Sequence, residues 1–372
     1  MSMGTCHVSG ARRFHSFNGS CFSLHGDCVY EMLEVVEKYG SMAPFVVSVQ
    51  QLTKMDVAMV TRRVEIQAYK YKISMSPRVD DIAANLPLSL GDGKVRAYQN
   101  GINIVLVTDF GLMGTYDTVA GAIIQLPSTY KGVTGGLCGN YNDKKEDDFL
   151  LPSGLQEPSM EKFAAGWLVV LEGVKCQTGC DGGLKCPPST GPPAACSIIK
   201  STKGPFAQCH AVVPPQEHFE ECMKEGEGGD ALCRHLQTYV TFCQASGGIV
   251  SSWRSDQFCP LTCPANSHYE LCADTCSSTC DSLSESPKCP LCQEGCQCDD
   301  GFVFDGGKCV LLENCGCVVD GHYYKSGQSV MLGNCSETCS CASGVFTCKN
   351  SQRGPEMWVE EWSHGLLQHR PL

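Results

Sequence analysis

Twenty-eight cysteines, spread very unevenly over 372 residues, constrain this chain more than any other feature. Only four fall in residues 1–175, whereas ten crowd into 261–316 and five into 317–350. A segment of fewer than sixty residues that gives ten positions to cysteine has too few left for an apolar core. Covalent bridges must take the place of that core. The CxC and CxxC spacings of the C-terminal half read as a disulfide framework made in an oxidising compartment. A zinc protein of the cytosol would instead repeat four-ligand clusters of Cys or His at about two-residue spacing. Only Cys289 and Cys292 come near that pattern, and they sit inside the run of ten.

The formal charge of −12 and a pI near 5.3 argue against a nucleic-acid partner, since basic residues gather only in pieces as short as Arg12-Arg13 and Arg62-Arg63. No stretch has the length and apolarity of a membrane span. The start, "MSMGTCHVSG", lacks the apolar run of a secretory leader, which conflicts with the cysteine content. The expectation is therefore a fragment of a longer extracellular, secreted protein, whose partners are extracellular proteins or glycoproteins.

Four segments follow from composition and periodicity. Residues 1–175 read as a β domain: 44–52, 62–75, 94–100, 102–111 and 120–127 are short apolar runs separated by Gly, Asn, Asp and Pro. Asn100-Gly101 predicts a tight turn, because that pair readily supplies positive φ. Within 62–75 the apolar phase changes from Val64, Ile66 and Ala68 to Tyr69, Tyr71 and Ile73, which predicts a β-bulge near Ala68. Met160, Phe163 and Trp167 share one helical face. Residues 176–260 open with a linker-like stretch (Pro187, Pro188, Pro192, Pro193) and continue as a helical module in which Leu232, Leu236, Tyr239 and Cys243 recur at helical spacing beside Cys233. Residues 261–316 and 317–350 are small disulfide-rich modules. Residues 351–372 contain no cysteine and no clear pattern.

One loop carries a concentration of oxygen donors. In "GGLCGNYNDKKEDDF", residues 135–149, Asn140, Asn142, Asp147 and Asp148 offer side-chain oxygens, and Lys144 could turn its backbone carbonyl inward while its ammonium stays in solvent. Hard cations such as calcium want six to eight such oxygens. The loop is not an EF-hand, because the sixth position from Asn140 is Lys145 and the twelfth is Leu151. Residue types alone leave calcium and a solvated acidic loop both open.

The four segments in this order resemble a von Willebrand factor type D assembly: a D domain, an eight-cysteine module, a trypsin-inhibitor-like module and a short trailing cysteine module. The residues that carry the resemblance are the 135–149 loop with "FAAGW" (163–167), "GPFAQCH" (204–210), "WRSDQFCPLTCPANSHYELC" (253–272) and "EGCQCDDGFVFDGGKCV" (294–310). Among such proteins the chain is most similar to the group of IgGFc-binding protein and zonadhesin, proteins of mucus and gamete coats. The resemblance implies a mainly β, antiparallel sandwich for 1–175, and a non-enzymatic structural or adhesive role. It implies that the loop binds calcium, with Asn18 of the "SFNG" turn where relatives carry Asp. An amide there removes a negative charge, so the expected binding is weak. It also implies the pairs Cys6–Cys138 and Cys28–Cys176. A further family pair would fall on Glu37 and Gly135, so both of its halves are missing. Cys21 is then left over, to pair within the helical module or to bridge two chains into a disulfide-linked oligomer.

Chemistry expected of an enzyme is missing from the pattern: there is no HExxH, no GxSxG and no phosphate-binding glycine loop. His15 and His25 read as polar or packing residues. The self-cleaving Gly-Asp-Pro-His motif of many relatives corresponds here to Gly10, Ala11, Arg12 and Arg13, so self-cleavage is not expected. The trypsin-inhibitor-like module brings an alternative function, protease inhibition, for which Leu291 between Cys289 and Cys292 is the specificity residue. Pro290 beside it removes a backbone donor that docking on a protease would use. Asn18 and Asn334 both sit in glycosylation sequons. Asn334 is expected to carry the glycan and Asn18 to be mostly bare.

Overall fold

A computed structural model describes residues 2–9, 13–36, 42–53, 60–76, 86–118, 121–170, 176, 194–225, 229–276, 279–280, 292–305, 307–319, 322–332, 337–342 and 344–350. The chain forms two compact units, Met1–Arg78 with Ile102–Pro260, and Val79–Gly101 with Leu261–Leu372.

In chain order the strands of the N-terminal region are β1 (Met3–Ser9), β2 (Arg13–His15), β3 (Cys21–Ser23), β4 (Val29–Val35), β5 (Phe45–Thr53), β6 (Val60–Ala68), β7 (Tyr71–Met75), β8 (Leu88–Leu90), β9 (Val95–Asn100), β10 (Asn103–Thr108), β11 (Met113–Tyr116), β12 (Ala122–Pro127) and β13 (Thr134–Gly135). Among the described residues the first unit holds two antiparallel sheets: β3-β2-β1-β12-β11-β10, and β13-β4-β5-β6-β7. They face each other as a sandwich. A Cβ on Gly114 of β11 would lie 2.5 Å from Ile66 Cδ1 of β6, and Tyr116 Oη donates to the Arg62 carbonyl at 2.8 Å. Alternation decides which side chains enter the core: Val47 and Val49 on β5, and Val64, Ile66 and Ala68 on β6, are all buried. Val8, Phe14, Leu106, Ile124 and Leu126 are buried on the other sheet.

The phase change in 62–75 is a hairpin, not the expected bulge. Ala68 pairs with Tyr71, and Tyr69 takes φ 55 in the two-residue turn between them. Such a turn reverses the chain, so the odd-numbered residues of β7 face the side that the even-numbered residues of β6 face. Ile73 opposite Ile66 and Met75 opposite Val64 are accordingly buried. The bulge of this sheet falls instead between Glu31 and Leu33, where the β4–β5 register shifts and adjacent Met32 and Leu33 are both buried.

Among the described residues the same unit contains three α-helices, α1 (Met160–Gly166), α2 (Pro215–Glu225) and α3 (Gly229–Ala245). Ser159 caps α1 by accepting from Lys162 N, and Phe163 and Trp167 are buried. Pro215 opens α2, where its missing N–H has no intrahelical partner to lose. Leu232, Leu236, Tyr239 and Cys243 form the buried stripe of α3. The bridges Cys196–Cys222, Cys209–Cys243 and Cys233–Cys259 staple this module around Phe206, Tyr239 and Trp253. Buried Asp117 fixes α3 to the sheet region: its Oδ1 accepts from Gly121 N and its Oδ2 from Thr238 Oγ1, both at 2.8 Å. The four prolines of the linker-like stretch lie outside the described residues.

The second unit includes 79–101, a segment the sequence grouped with the first β domain. Thr275 is the reason: its Oγ1 accepts from Gly101 N at 2.7 Å and donates to the Gln99 carbonyl at 3.1 Å. Gly101 has φ 61, and a Cβ there would meet the Glu294 carbonyl oxygen at 2.2 Å, so only glycine fits. The rest of the unit consists of short antiparallel pieces: β14 (Ser267–Glu270) with β15 (Gly295–Cys298), β16 (Phe302–Asp305) with β17 (Lys308–Leu311), β18 (Cys317–Val319) with β19 (His322–Tyr324), and β20 (Ser329–Leu332), β21 (Glu337–Ala342) and β22 (Val345–Asn350) in one sheet. Cys263–Cys296, Cys272–Cys292, Cys280–Cys315 and Cys298–Cys309 cross-link the first of these pieces, and Cys317–Cys341 and Cys339–Cys348 the last. No helix among the described residues is long and apolar enough to cross a membrane.

Candidate metal centre

The loop after β13 is anchored before any ligand question arises. Cys138 is bonded to Cys6 of β1, and its N–H donates to the Met32 carbonyl at 2.8 Å. Gly136 has φ 106 and passes so close to β4 that a Cβ would lie 2.7 Å from the Met32 carbonyl oxygen. From there the chain winds through two non-glycine residues in the left-handed region, Tyr141 at φ 51 and Asp143 at φ 64. Such backbone is held only where its surroundings over-determine it. Tyr141 stacks on Phe17 with centroids 4.5 Å apart, and its ring fills the space that a side chain on Gly4 would take. The far side closes through Trp167 Nε1, which donates to the Leu150 carbonyl at 2.9 Å, and through Gln156, which donates to the Glu146 carbonyl.

The "SFNG" turn reaches this loop from β2. Ser16 N donates to the Ser20 carbonyl at 2.9 Å, and Phe17 N donates to the Cys138 carbonyl at 3.0 Å. This places Asn18 among the loop oxygens. Its Nδ2 donates to Asn140 Oδ1 at 3.0 Å, to Asn142 Oδ1 at 3.3 Å and to Asp148 Oδ1 at 2.6 Å. Its Oδ1 accepts from Asp143 N at 2.8 Å. Asp148, 2% exposed, takes a second bond on Oδ2 from Ser16 Oγ at 2.6 Å. Asn142 Nδ2 donates to Asp147 Oδ2 at 2.8 Å, while Asp147 Oδ1 is buried without a hydrogen-bond partner. Lys144 donates its N–H to Asn142 Oδ1 at 2.8 Å and is exposed.

Of the six residues singled out in the sequence, Asn18, Asn140, Asn142 and Asp148 therefore meet at one point, and Asp147 joins them through Asn142. Lys144 is at the rim. The donor set fits a hard cation: it is all oxygen apart from the Asn18 amide nitrogen, and it includes a buried carboxylate oxygen that lacks a hydrogen-bond partner. The Asn18 NH₂ group occupies the middle of the oxygens, where it supplies the partial positive charge they require. Sequence reasoning missed Ser16, whose hydroxyl holds Asp148; the cue was its place two residues before Asn18. It also missed Gly139, at φ 78, where a Cβ would lie 2.4 Å from Asp148 Oδ1.

Other residues singled out in the sequence are accounted for as follows. Cys28 is bonded to Cys176. Cys21 is a free thiol, so it does not pair within the helical module. Arg13 lies on β2, and Gly135 packs against Trp167, whose ring a Cβ would meet at 2.9 Å. Glu37, Leu291, Asn334 and residues 351–372 lie outside the described residues.

Three family models match in order: the von Willebrand factor type D domain over residues 6–155, the C8 domain over 195–260, and the trypsin-inhibitor-like cysteine-rich domain over 263–315. The chain is similar to human IgGFc-binding protein, 36% identical over 304 residues, which cover 78% of this chain and 6% of the relative. It is also similar to human alpha-tectorin, 35% identical over 310 residues, or 78% of this chain and 14% of the relative. Pig zonadhesin is 34% identical over 312 residues, or 78% of this chain and 12% of the relative. The chain thus spans a small part of the length of each relative.

Proposed function

Given that this chain belongs to the von Willebrand factor type D domain family, with C8 and trypsin-inhibitor-like domains following in order, we propose that it is a secreted, non-enzymatic adhesive part of a mucus or extracellular-matrix protein, braced by calcium at the 135–149 loop. Eleven disulfides among the described residues support an oxidising, extracellular setting. Their work is to hold small modules rigid enough to present a surface. The partner class is an extracellular protein or glycoprotein. One relative is named for binding the Fc part of IgG, which makes that fragment the first partner to try.

The observation that carries the calcium reading is the buried, partnerless Asp147 Oδ1 beside four converging side chains. Asn140, Asn142, Asp147 and Asp148 would hold the ion. Asn18 would turn its amide to offer oxygen, and the Lys144 carbonyl would complete the ring. Calcium there supplies positive charge to oxygens that otherwise share one amide. The affinity expected is that of extracellular modules, with Kd on the order of 10⁻⁴–10⁻³ M. Calorimetry on the full chain tests this: heat of binding that Asp147→Ala and Asp148→Ala remove supports the reading. No heat at millimolar calcium, or heat indifferent to those changes, refutes it.

A further inference from the structure

The free thiol of Cys21 does not stand alone. Cys21 on β3 is the register partner of His15 on β2, which puts both side chains on one face. Its Sγ lies 3.8 Å from His15 Nε2. The other ring nitrogen, Nδ1, is 3.2 Å from Glu217 Oε2, on α2. One ligand atom from each of these three residues lies within 4.8 Å of the other two. The surroundings hold them in place. His7 stacks on the His15 ring with centroids 4.2 Å apart and planes 17° from parallel. Arg13 Nε donates to Cys21 Sγ at 2.8 Å and stands 3.7 Å from Glu221 Oε1. Ser9 Oγ donates to both Glu221 oxygens at 3.1 Å.

We propose that Cys21, His15 and Glu217 form a binding site for a divalent transition-metal ion of the zinc class, separate from the calcium loop. A tetrahedral zinc with ordinary bonds to sulfur and nitrogen sets those two atoms about 3.6 Å apart. The 3.8 Å between Cys21 Sγ and His15 Nε2 matches that span, and Glu217, whose Oε2 faces Nδ1, turns from that nitrogen to reach an ion on the Nε2 side. Binding displaces the thiol proton to solvent, forms the sulfur–metal bond and leaves a thiolate and a carboxylate to balance the two charges of the ion. Three protein ligands leave a fourth position, and the side chain of Glu217, 46% exposed, puts the site within reach of solvent. A thiolate and an imidazole are poor ligands for calcium, which keeps the two sites distinct. The guanidinium of Arg13 bonds the sulfur from outside, and Glu221 offsets its charge.

Cobalt(II) is the probe, because a bound thiolate gives it an intense charge-transfer absorption that oxygen ligands do not. Titrated into the full, oxidised chain, cobalt should raise this absorption at one equivalent. Excess calcium should leave the band in place and zinc should remove it. Cys21→Ser should abolish the band, and His15→Gln and Glu217→Gln should each weaken binding by about tenfold or more. If Cys21→Ser is not secreted, alkylating Cys21 in the folded wild-type chain before titration serves the same purpose. Three results overturn the proposal: no band while the Cys21 thiol is titratable, a band that survives loss of that thiol, or peptide mapping that finds Cys21 in a disulfide.

Discussion

Asn18 concentrates the calcium question in one side chain. Its amide nitrogen serves three oxygens at once, so Asn18→Asp would set a carboxylate against Asp148, whose Oδ1 is 2.6 Å from that nitrogen. Without calcium the two carboxylates would repel; with calcium in the proposed site both would be ligands. Asn18→Asp is therefore expected to lower the Tm in chelator and to raise calcium affinity by about tenfold or more, read by calorimetry and by thermal melts with and without calcium. The same hydrogen bonds bear on the Asn18 sequon. A glycan attaches through Nδ2, would remove one of its two hydrogens and has no room among three oxygens within 3.3 Å, so peptide mapping of secreted chain should find Asn18 bare. Full occupancy there would contradict both the packing and the ligand role. Gly139→Ala should cost about 1–3 kcal/mol in denaturant unfolding, because it combines a strained backbone with a contact on Asp148. The clustering of the loop's own oxygens was legible, since Asn140 to Asp148 are close in sequence. The hydroxyl of Ser16 on Asp148 was not, because 132 residues separate the two.

Among the elements, hairpins and helices were read with different success. The stripe of α3 was visible because Leu232, Leu236, Tyr239 and Cys243 repeat at one helical period. The β6–β7 turn was misread because a two-residue reversal and a bulge produce the same shift of apolar phase. Only the pairing of Ala68 with Tyr71 separates them. The place of 79–101 depends on bonds such as that from Gly101 to Thr275, 174 residues away, which no local pattern announces. The helices also make stability depend on pH. Burial lowers His218 of α2 to about 3 and His235 of α3 to about 4. Both are neutral in the fold and have ordinary values near 6.5 when unfolded. In the window between, the unfolded chain holds the extra protons, so the stability conferred by neutral histidines is full above about pH 6.5 and falls as the pH drops. The expected loss is on the order of 1 kcal/mol per pH unit for each group. Urea melts between pH 7 and 4.5 should show this slope, and His218→Gln should flatten it.

For the whole molecule, the described residues of the second unit include few large buried side chains beyond its cysteines, Phe304 being one. Its bridges substitute for a core, so chain made in a reducing compartment should lose protease resistance across 263–350, while chain made in an oxidising one keeps it. Equal resistance from both sources would show that the apolar contacts suffice. The modular order was legible from cysteine density, apolar periodicity and the motifs at 135–149, 163–167, 204–210, 253–272 and 294–310 together. The meeting of His15, Cys21 and Glu217 was not, because two strands of a sheet edge and a helix some two hundred residues later must be folded before it exists.

The pairs Cys6–Cys138 and Cys28–Cys176 interleave along the chain. The proposed adhesive role would put the chain under tension, and this arrangement decides how far the region can give. Tension applied at residues 6 and 176 would draw an unlinked chain out to roughly 600 Å, at about 3.5 Å per residue. With the bridges intact, the taut path runs from Cys6 to Cys28, only 22 residues, and then crosses directly to Cys176. That path stops at about 80 Å. The region would act as a short inextensible link, passing load on to its neighbours while its folded surface stays presented.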